Sequence, residues 1–204
     1  MEPNDFYEIL KTKALMMPGT VTRTGSVDAW CKYLKGYRYI IKDILEVGSF
    51  EGASAMFWLE FFPNAHLTCI DPFTGNPKEH TGNMFEPIFK DCETRFHMNM
   101  SPYKGRYTCY KTWSTTLLPL IMSQFGLIYI DGCHEEEIVK FDTEKCWDLC
   151  RVDGLLLWDD YDTEIYPGNK NKLRKTIDAF LKTKKDQYLE VFNSTQCLGI
   201  QKTK

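Results

Sequence analysis

The chain has 204 residues, 43% of them hydrophobic and 26% charged, with a formal net charge of −3. That length and apolar content allow one domain with a single substantial core, and the weak negative charge excludes a general electrostatic grip on nucleic acid. The eight cysteines are scattered and form no Cys-x-x-Cys pair. Free thiols in a reducing, cytoplasmic setting are therefore expected, with neither disulfides nor a zinc cluster. With no signal peptide and no apolar run of ~18 residues, no membrane span is expected.

Asp5-Phe6-Tyr7-Glu8 reads as a capping box, and Phe6, Ile9, Leu10 and Ala14 follow at helical spacing. Pro18-Gly19 ends that helix. Ser26 then caps a second helix with a stripe of Val27, Trp30, Cys31 and Leu34, stopped by Gly36. Residues 1–38 thus hold two helices that serve as a lid over a site or as extra core packing.

The next stretch organises the chain. Ile44-Leu45-Glu46-Val47 is an apolar strand, Gly48-Ser49-Phe50-Glu51-Gly52 is a turn, and Ala53-Ser54 opens a helix that runs to about residue 61. Glycine lets a ligand approach the backbone, and the first helical turn has N–H groups to offer it. Leu67 to Asp71 is the second strand and ends in an acid. Such an acid accepts hydrogen bonds from the ribose hydroxyls of a nucleoside. After a loop over 72–82, Asn83 and Glu86 form another capping box, and Phe85, Ile88, Phe89, Cys92 and Phe96 make a core face.

Tyr107–Lys111 is the third strand. A short helix begins near Thr115 and is ended by Gly126. Leu127-Ile128-Tyr129-Ile130-Asp131 is the fourth strand, apolar enough to be buried on both faces. Gly132-Cys133-His134 turns into a helix whose first turn carries Glu135, Glu136 and Glu137. Asp153-Gly154 forms a turn before a fifth strand, Leu155–Trp158, which is closed by Asp159-Asp160-Tyr161. A loop with Pro167-Gly168 leads to a Lys-rich helix over about 171–185, with Leu173, Ile177, Phe180 and Leu181 inward. Residues 188–193 and 196–201 read as a terminal hairpin. Alternating strands and helices imply a parallel sheet covered on both faces, with ligands at the carboxyl ends of the strands.

Asp131, Asp159 and Asp160 all fall at such ends. Three adjacent carboxylates repel one another unless a cation joins them, and oxygen ligands suit Mg²⁺ or another divalent ion. His134, three residues past Asp131, is placed to take the proton of a hydroxyl held at that cation.

The segments Glu46-x-Gly48-Ser49-Phe50-Glu51-Gly52-x-Ser54, Ile70-Asp71-Pro72-Phe73, Ile130-Asp131-Gly132-x-His134 and Trp158-Asp159-Asp160-Tyr161 resemble the class I S-adenosylmethionine (SAM) methyltransferases. Within these they resemble the metal-dependent O-methyltransferases of antibiotic and glycan sugars, and more distantly the catechol type. The resemblance implies an α/β fold: a doubly wound, mostly parallel seven-stranded sheet, Rossmann-like, with a C-terminal antiparallel hairpin. Residues 40–202 would be the catalytic core of a single domain spanning 1–204. It implies SAM contacts at Glu46, Gly48, Ser49, Phe50, Gly52, Ser54, Asp71, Ser114 and Asp131, with the ribose on Asp71 and the adenine near Ser114. The divalent cation would sit on Asp131, Asp159 and Asp160, and His134 would be the catalytic base. Some sugar methyltransferases carry an acidic base where this chain has Cys133, so here the role passes to His134. The acceptor would be a sugar or glycan hydroxyl, or else a catechol-like or other small hydroxyl compound. From another class, the same fold serves a non-catalytic SAM- or glycan-binding module. No nucleic-acid partner is expected, and a homo-oligomer is compatible with the sequence.

Overall fold

The computed structural model describes residues 1–16, 25–75, 89–163, 172–194 and 196–204. Its helices are α1 (Pro3–Lys13), α2 (Gly25–Tyr33), α3 (Ala53–Phe61), α4 (Cys92–Met100), α5 (Ser114–Leu117), α6 (Glu136–Leu149) and α7 (Lys172–Thr183). Its strands are β1 (Asp43–Val47), β2 (His66–Ile70), β3 (Tyr107–Tyr110), β4 (Phe125–Ile130), β5 (Cys150–Asp159), β6 (Tyr188–Asn193) and β7 (Cys197–Lys202). They form one sheet of seven strands in the order β3-β2-β1-β4-β5-β7-β6. The first five run parallel, and β7 lies antiparallel to both β5 and β6. This is the doubly wound sheet with a closing hairpin that the sequence implies. The strand order reverses between β1 and β4, so a crevice opens at their carboxyl ends.

Side chains alternate across the sheet, so each strand feeds two cores. Ile44, Leu67, Cys69, Leu127, Tyr129 and Leu157 face α1, α2 and α3. Leu45, Val47, Ile128, Ile130, Leu156 and Trp158 face α6 and α7. The first core is strongly aromatic. Phe6 of α1 meets Phe57 of α3 at 5.1 Å between centroids, and Trp30 of α2 meets Trp58 at 4.6 Å and Tyr129 at 5.2 Å. The N-terminal helices are therefore clamped to α3 and β4, directly beside the crevice.

Several boundaries differ from the sequence reading. The first helix starts earlier: Glu2 is the N-cap, Asp5 closes the capping box, and Pro3 occupies the first turn, where its fixed φ suits helix initiation. Ser26 lies inside α2, and its hydroxyl is committed to Asp159, 133 residues away. Gly126 does not end a helix. It sits within β4, where an added Cβ would come 2.8 Å from the Arg151 guanidinium. Asp153-Gly154 is an irregularity inside β5, where the register slips between Phe125 and Leu127 and Asp153 takes φ 64°. The capping box at Asn83 and Glu86, the apolar positions Phe85 and Ile88, and the turns at Pro18-Gly19 and Pro167-Gly168 lie outside the described residues. Among the described residues no helix is long and apolar enough to cross a membrane. The eight cysteines are free thiols.

Candidate active site

The turn after β1 is built to leave no room for side chains. Gly48 has φ 86°, and a Cβ there would stand 1.9 Å from the Asp131 carbonyl oxygen. Only glycine allows β1 and β4 to meet this closely at the switch point. Gly52, with φ 89°, is the N-cap of α3. Between them Phe50 takes φ 46°, a left-handed conformation that a bulky residue holds only when its neighbours enforce it. Asp71 does so. Its Oδ2 accepts the N–H groups of Ser49 and Phe50, each at 2.8 Å, and its Oδ1 accepts the N–H of Phe73 at 2.6 Å. Three of roughly four carboxylate lone-pair sites are thus used internally.

Glu46 braces the same turn from below. It is fully buried and accepts from the Ser49 hydroxyl at 2.6 Å and from the Trp58 indole at 3.1 Å. Burial pushes its carboxyl up to about 7, while hydrogen bonds from Ser49, Ser54, Trp58 and Cys69 pull the other way. From α4, Arg95 pairs with the buried Glu51, and the Asn99 amide donates to the Glu51 carbonyl at 2.8 Å.

A cavity of about 240 Å³ opens over this turn. Gly48, Ser49, Phe50, Ser54 and Asp71 form one end. Tyr129, Asp131 and Asp159 form the other, and Phe6, Tyr7, Ser26 and Trp30 form the roof. α1 and α2 therefore act both as core and as cover.

The strand-end side is acidic, with Asp131 and Asp159 on the cavity wall and Asp160 and His134 beside it, outside the lining. Asp131 follows β4, Asp159 ends β5, and Asp160 follows with φ 51°. The Tyr129 hydroxyl donates to Asp131 Oδ2 at 3.1 Å and also bonds Asp159. The Ser26 hydroxyl donates to Asp159 Oδ1 at 3.0 Å. His134 Nε2 lies 3.4 Å from Asp160 Oδ2. Burial, then the charges of Asp159 and Asp160, raise Asp131 well above the ordinary carboxylate range. Burial, then Asp160, raise Asp159 to about 7. Among the described residues no Lys or Arg pairs with any of the three. One donor atom each from Asp131, His134 and Asp160 lies within 4.8 Å of the others. Carboxylate oxygens and an imidazole nitrogen are a competent cation donor set, and a cation would relieve the repulsion among the acids. The site therefore fits the divalent ion that the sequence implies.

A turn that admits backbone approach and an acidic cluster at the next strand ends meet in one crevice. Residues 45–161 match the model of a family described as a methyltransferase domain. The chain belongs to this methyltransferase family. Its fold is that of the class I enzymes. A SAH-bound methyltransferase from Podospora anserina aligns with a TM-score of 0.66 at 15% identity, over 99% of this chain and 88% of that one. An O-methyltransferase of tomaymycin synthesis from Streptomyces achromogenes, solved with SAM, aligns at 0.62 and 11% identity, over 99% and 89%. The mycinamycin-pathway methyltransferase MycE, solved with Mg, SAH and mycinamycin VI, aligns at 0.64 and 15% identity, over 98% of this chain and 55% of that one. No curated protein matches by sequence.

Of the residues expected to contact SAM, the methyltransferase places Gly48, Ser49, Phe50, Ser54, Asp71 and Asp131 on the cavity wall. Glu46, Gly52 and Ser114 lie off it: Glu46 beneath the turn, Gly52 at the cap of α3, and Ser114 at the start of α5. Of the expected cation ligands, Asp131 and Asp160 fall within the donor cluster. Asp159 falls outside it, occupied by Ser26 and Tyr129, while His134, expected as the base, falls inside. Two residues escaped the sequence reading. Tyr129 shares a sheet face with Asp131, two residues on, a signal the period of two could have supplied. Asp142 of α6 is buried, bonds Ser114, and is pushed up by burial to about 7. No sequence signal marks it.

Proposed function

We propose that this methyltransferase moves a methyl group from SAM to a hydroxyl of a sugar or glycan, assisted by a divalent cation at Asp131 and Asp160. The observation that carries this reading is the single cavity in which the Gly48–Ser54 turn faces Asp131 and Asp159. In the transfer a carbon–sulfur bond breaks, a carbon–oxygen bond forms, and the hydroxyl loses its proton. The turn supplies open backbone at Gly48 and the hydroxyls of Ser49 and Ser54 to orient the donor. Asp71 stiffens that turn and has about one lone-pair site left for a ribose hydroxyl. The Phe6, Tyr7 and Trp30 roof excludes water and offers an apolar surface to a sugar ring or to a flat phenol. A bound cation would lower the pKa of the acceptor hydroxyl. His134 and Asp159 are the two groups beside Asp131 able to receive the proton. Holding donor and acceptor in line is worth up to ~7–11 kcal/mol. The setting is read as cytoplasmic, from the free thiols.

The test is a methyl-transfer screen with labelled SAM across monosaccharides, oligosaccharides and phenols, with and without chelator. An O-methyl sugar formed only with the cation supports the reading. An O-methyl phenol moves the enzyme to the catechol-like class. SAM binding with no transfer to any acceptor leaves a binding module.

A further inference from the structure

The donor set at the acidic end is not the one expected from three aspartates. Asp131 and Asp160 lie at the ends of neighbouring strands, and His134 lies on the loop leading from Asp131 into α6. Their donor atoms lie within 4.8 Å of one another. Donors bound to one ion at ~2.1 Å stand at most ~4.2 Å apart, so small side-chain adjustments close the set. Asp159 has other commitments. Its Oδ1 accepts the Ser26 hydroxyl at 3.0 Å, it bonds Tyr129, and it faces the cavity.

We propose that the methyltransferase binds a divalent first-row transition cation through Asp131, His134 and Asp160, with His134 as a ligand and Asp159 outside the set. This rests on the reading that the acidic end receives a cation. Carboxylates alone suit hard ions such as Mg²⁺ and Ca²⁺, whereas an imidazole nitrogen shifts preference toward the first-row transition ions. Ligation commits one nitrogen of His134 to the cation and leaves Asp159, fixed by α2 and β4, as the carboxylate that faces the acceptor. Ser26 is then a positioning residue for Asp159, to which its hydroxyl donates.

The experiment is Mn²⁺ titration of the full chain, with free Mn²⁺ read by its EPR signal and bound Mn²⁺ by pulsed EPR for directly coordinated nitrogen. The wild type should bind Mn²⁺ more tightly than Mg²⁺ and show one imidazole nitrogen coupling. His134→Ala should abolish that coupling and weaken Mn²⁺ roughly 10–100-fold. Cys133→Ser should change neither. Bound Mn²⁺ without nitrogen coupling in the wild type overturns the proposal even if the variant fails to fold. So does unchanged Mn²⁺ affinity in a folded His134→Ala protein, or the absence of any Mn²⁺ binding. Methyl transfer is followed separately with labelled SAM and Mg²⁺: cation-dependent transfer alongside Mn²⁺ bound without nitrogen coupling overturns the ligand assignment alone, whereas no transfer with any cation overturns the proposed function.

Discussion

The two ends of the cavity solve opposite problems. At the glycine turn, the charges have internal partners: Asp71 holds three backbone N–H groups, Glu46 is ringed by hydroxyl and indole donors, and Glu51 pairs with Arg95. At the strand ends, Asp131, Asp159 and Asp160 gather with no Lys or Arg partner among the described residues. A satisfied network fixes a shape and leaves it nothing to gain from a ligand's charge. An uncompensated one stores electrostatic free energy that a cation can release. On the proposed reading, the turn selects by fit and the acidic end by charge.

The largest test of the first half is Gly48→Ala. The added Cβ would overlap the Asp131 carbonyl at 1.9 Å, with φ 86° as a further cost. We expect a loss of ~4 kcal/mol or more in denaturant unfolding. A variant with the wild-type midpoint would show that β1 and β4 are not pinned here.

Asp131→Asn tests the second half and should move activity and stability in opposite directions. Methyl transfer should fall ~10²–10³-fold, while the melting temperature rises, because a neutral amide replaces a carboxyl whose charged form is disfavoured by burial and by Asp159 and Asp160. A stability loss would mean that the acidic cluster is structurally balanced rather than frustrated.

Asp71→Ala should loosen the turn. It removes charge-assisted bonds of ~1.5–3 kcal/mol each, partly replaced by water, so both stability and SAM affinity should drop in calorimetry. Loss of SAM affinity with unchanged stability would place Asp71 on the ribose alone.

Glu46 gives the first half a pH signature. Its carboxyl rises from 4.5 to about 7 on folding. The native state therefore holds a proton that the unfolded chain releases over that window. Stability should fall as pH rises from about 4.5 to 7 and then level off, by about 3 kcal/mol for this group. Glu46→Gln should flatten that part of the slope in unfolding curves across the window, leaving the parallel contributions of Asp142, Asp159 and Asp131. An unchanged slope would mean that Glu46 is not the titrating group. The smallest effect is expected for Ser26→Ala, ~1 kcal/mol in stability and a change in the acceptor's KM without change in SAM affinity.

Much of this was legible because backbone demands are local. Gly48 and Gly52 mark the turn, and Asp71, Asp131, Asp159 and Asp160 stand out as acids ending apolar runs. The division of labour among those acids was not legible. Asp159 lies outside the donor cluster and accepts from Ser26, 133 positions away, and the buried Asp142 bonds Ser114, a partner on another element. Gly126 and Asp153-Gly154 were misread for a related reason. A glycine inside a strand and a glycine after a helix look alike until the partner strand is known.

The most direct test of the two-ended account is a single assay of methyl transfer from labelled SAM to a sugar panel, run with saturating divalent cation and again after chelation, with product linkage read by NMR. The account predicts a methyl ether on a hydroxyl oxygen that disappears on chelation, while SAM binding at the turn, measured in parallel, persists. Full transfer by the chelated enzyme, or a methyl group found on nitrogen or sulfur, would contradict it.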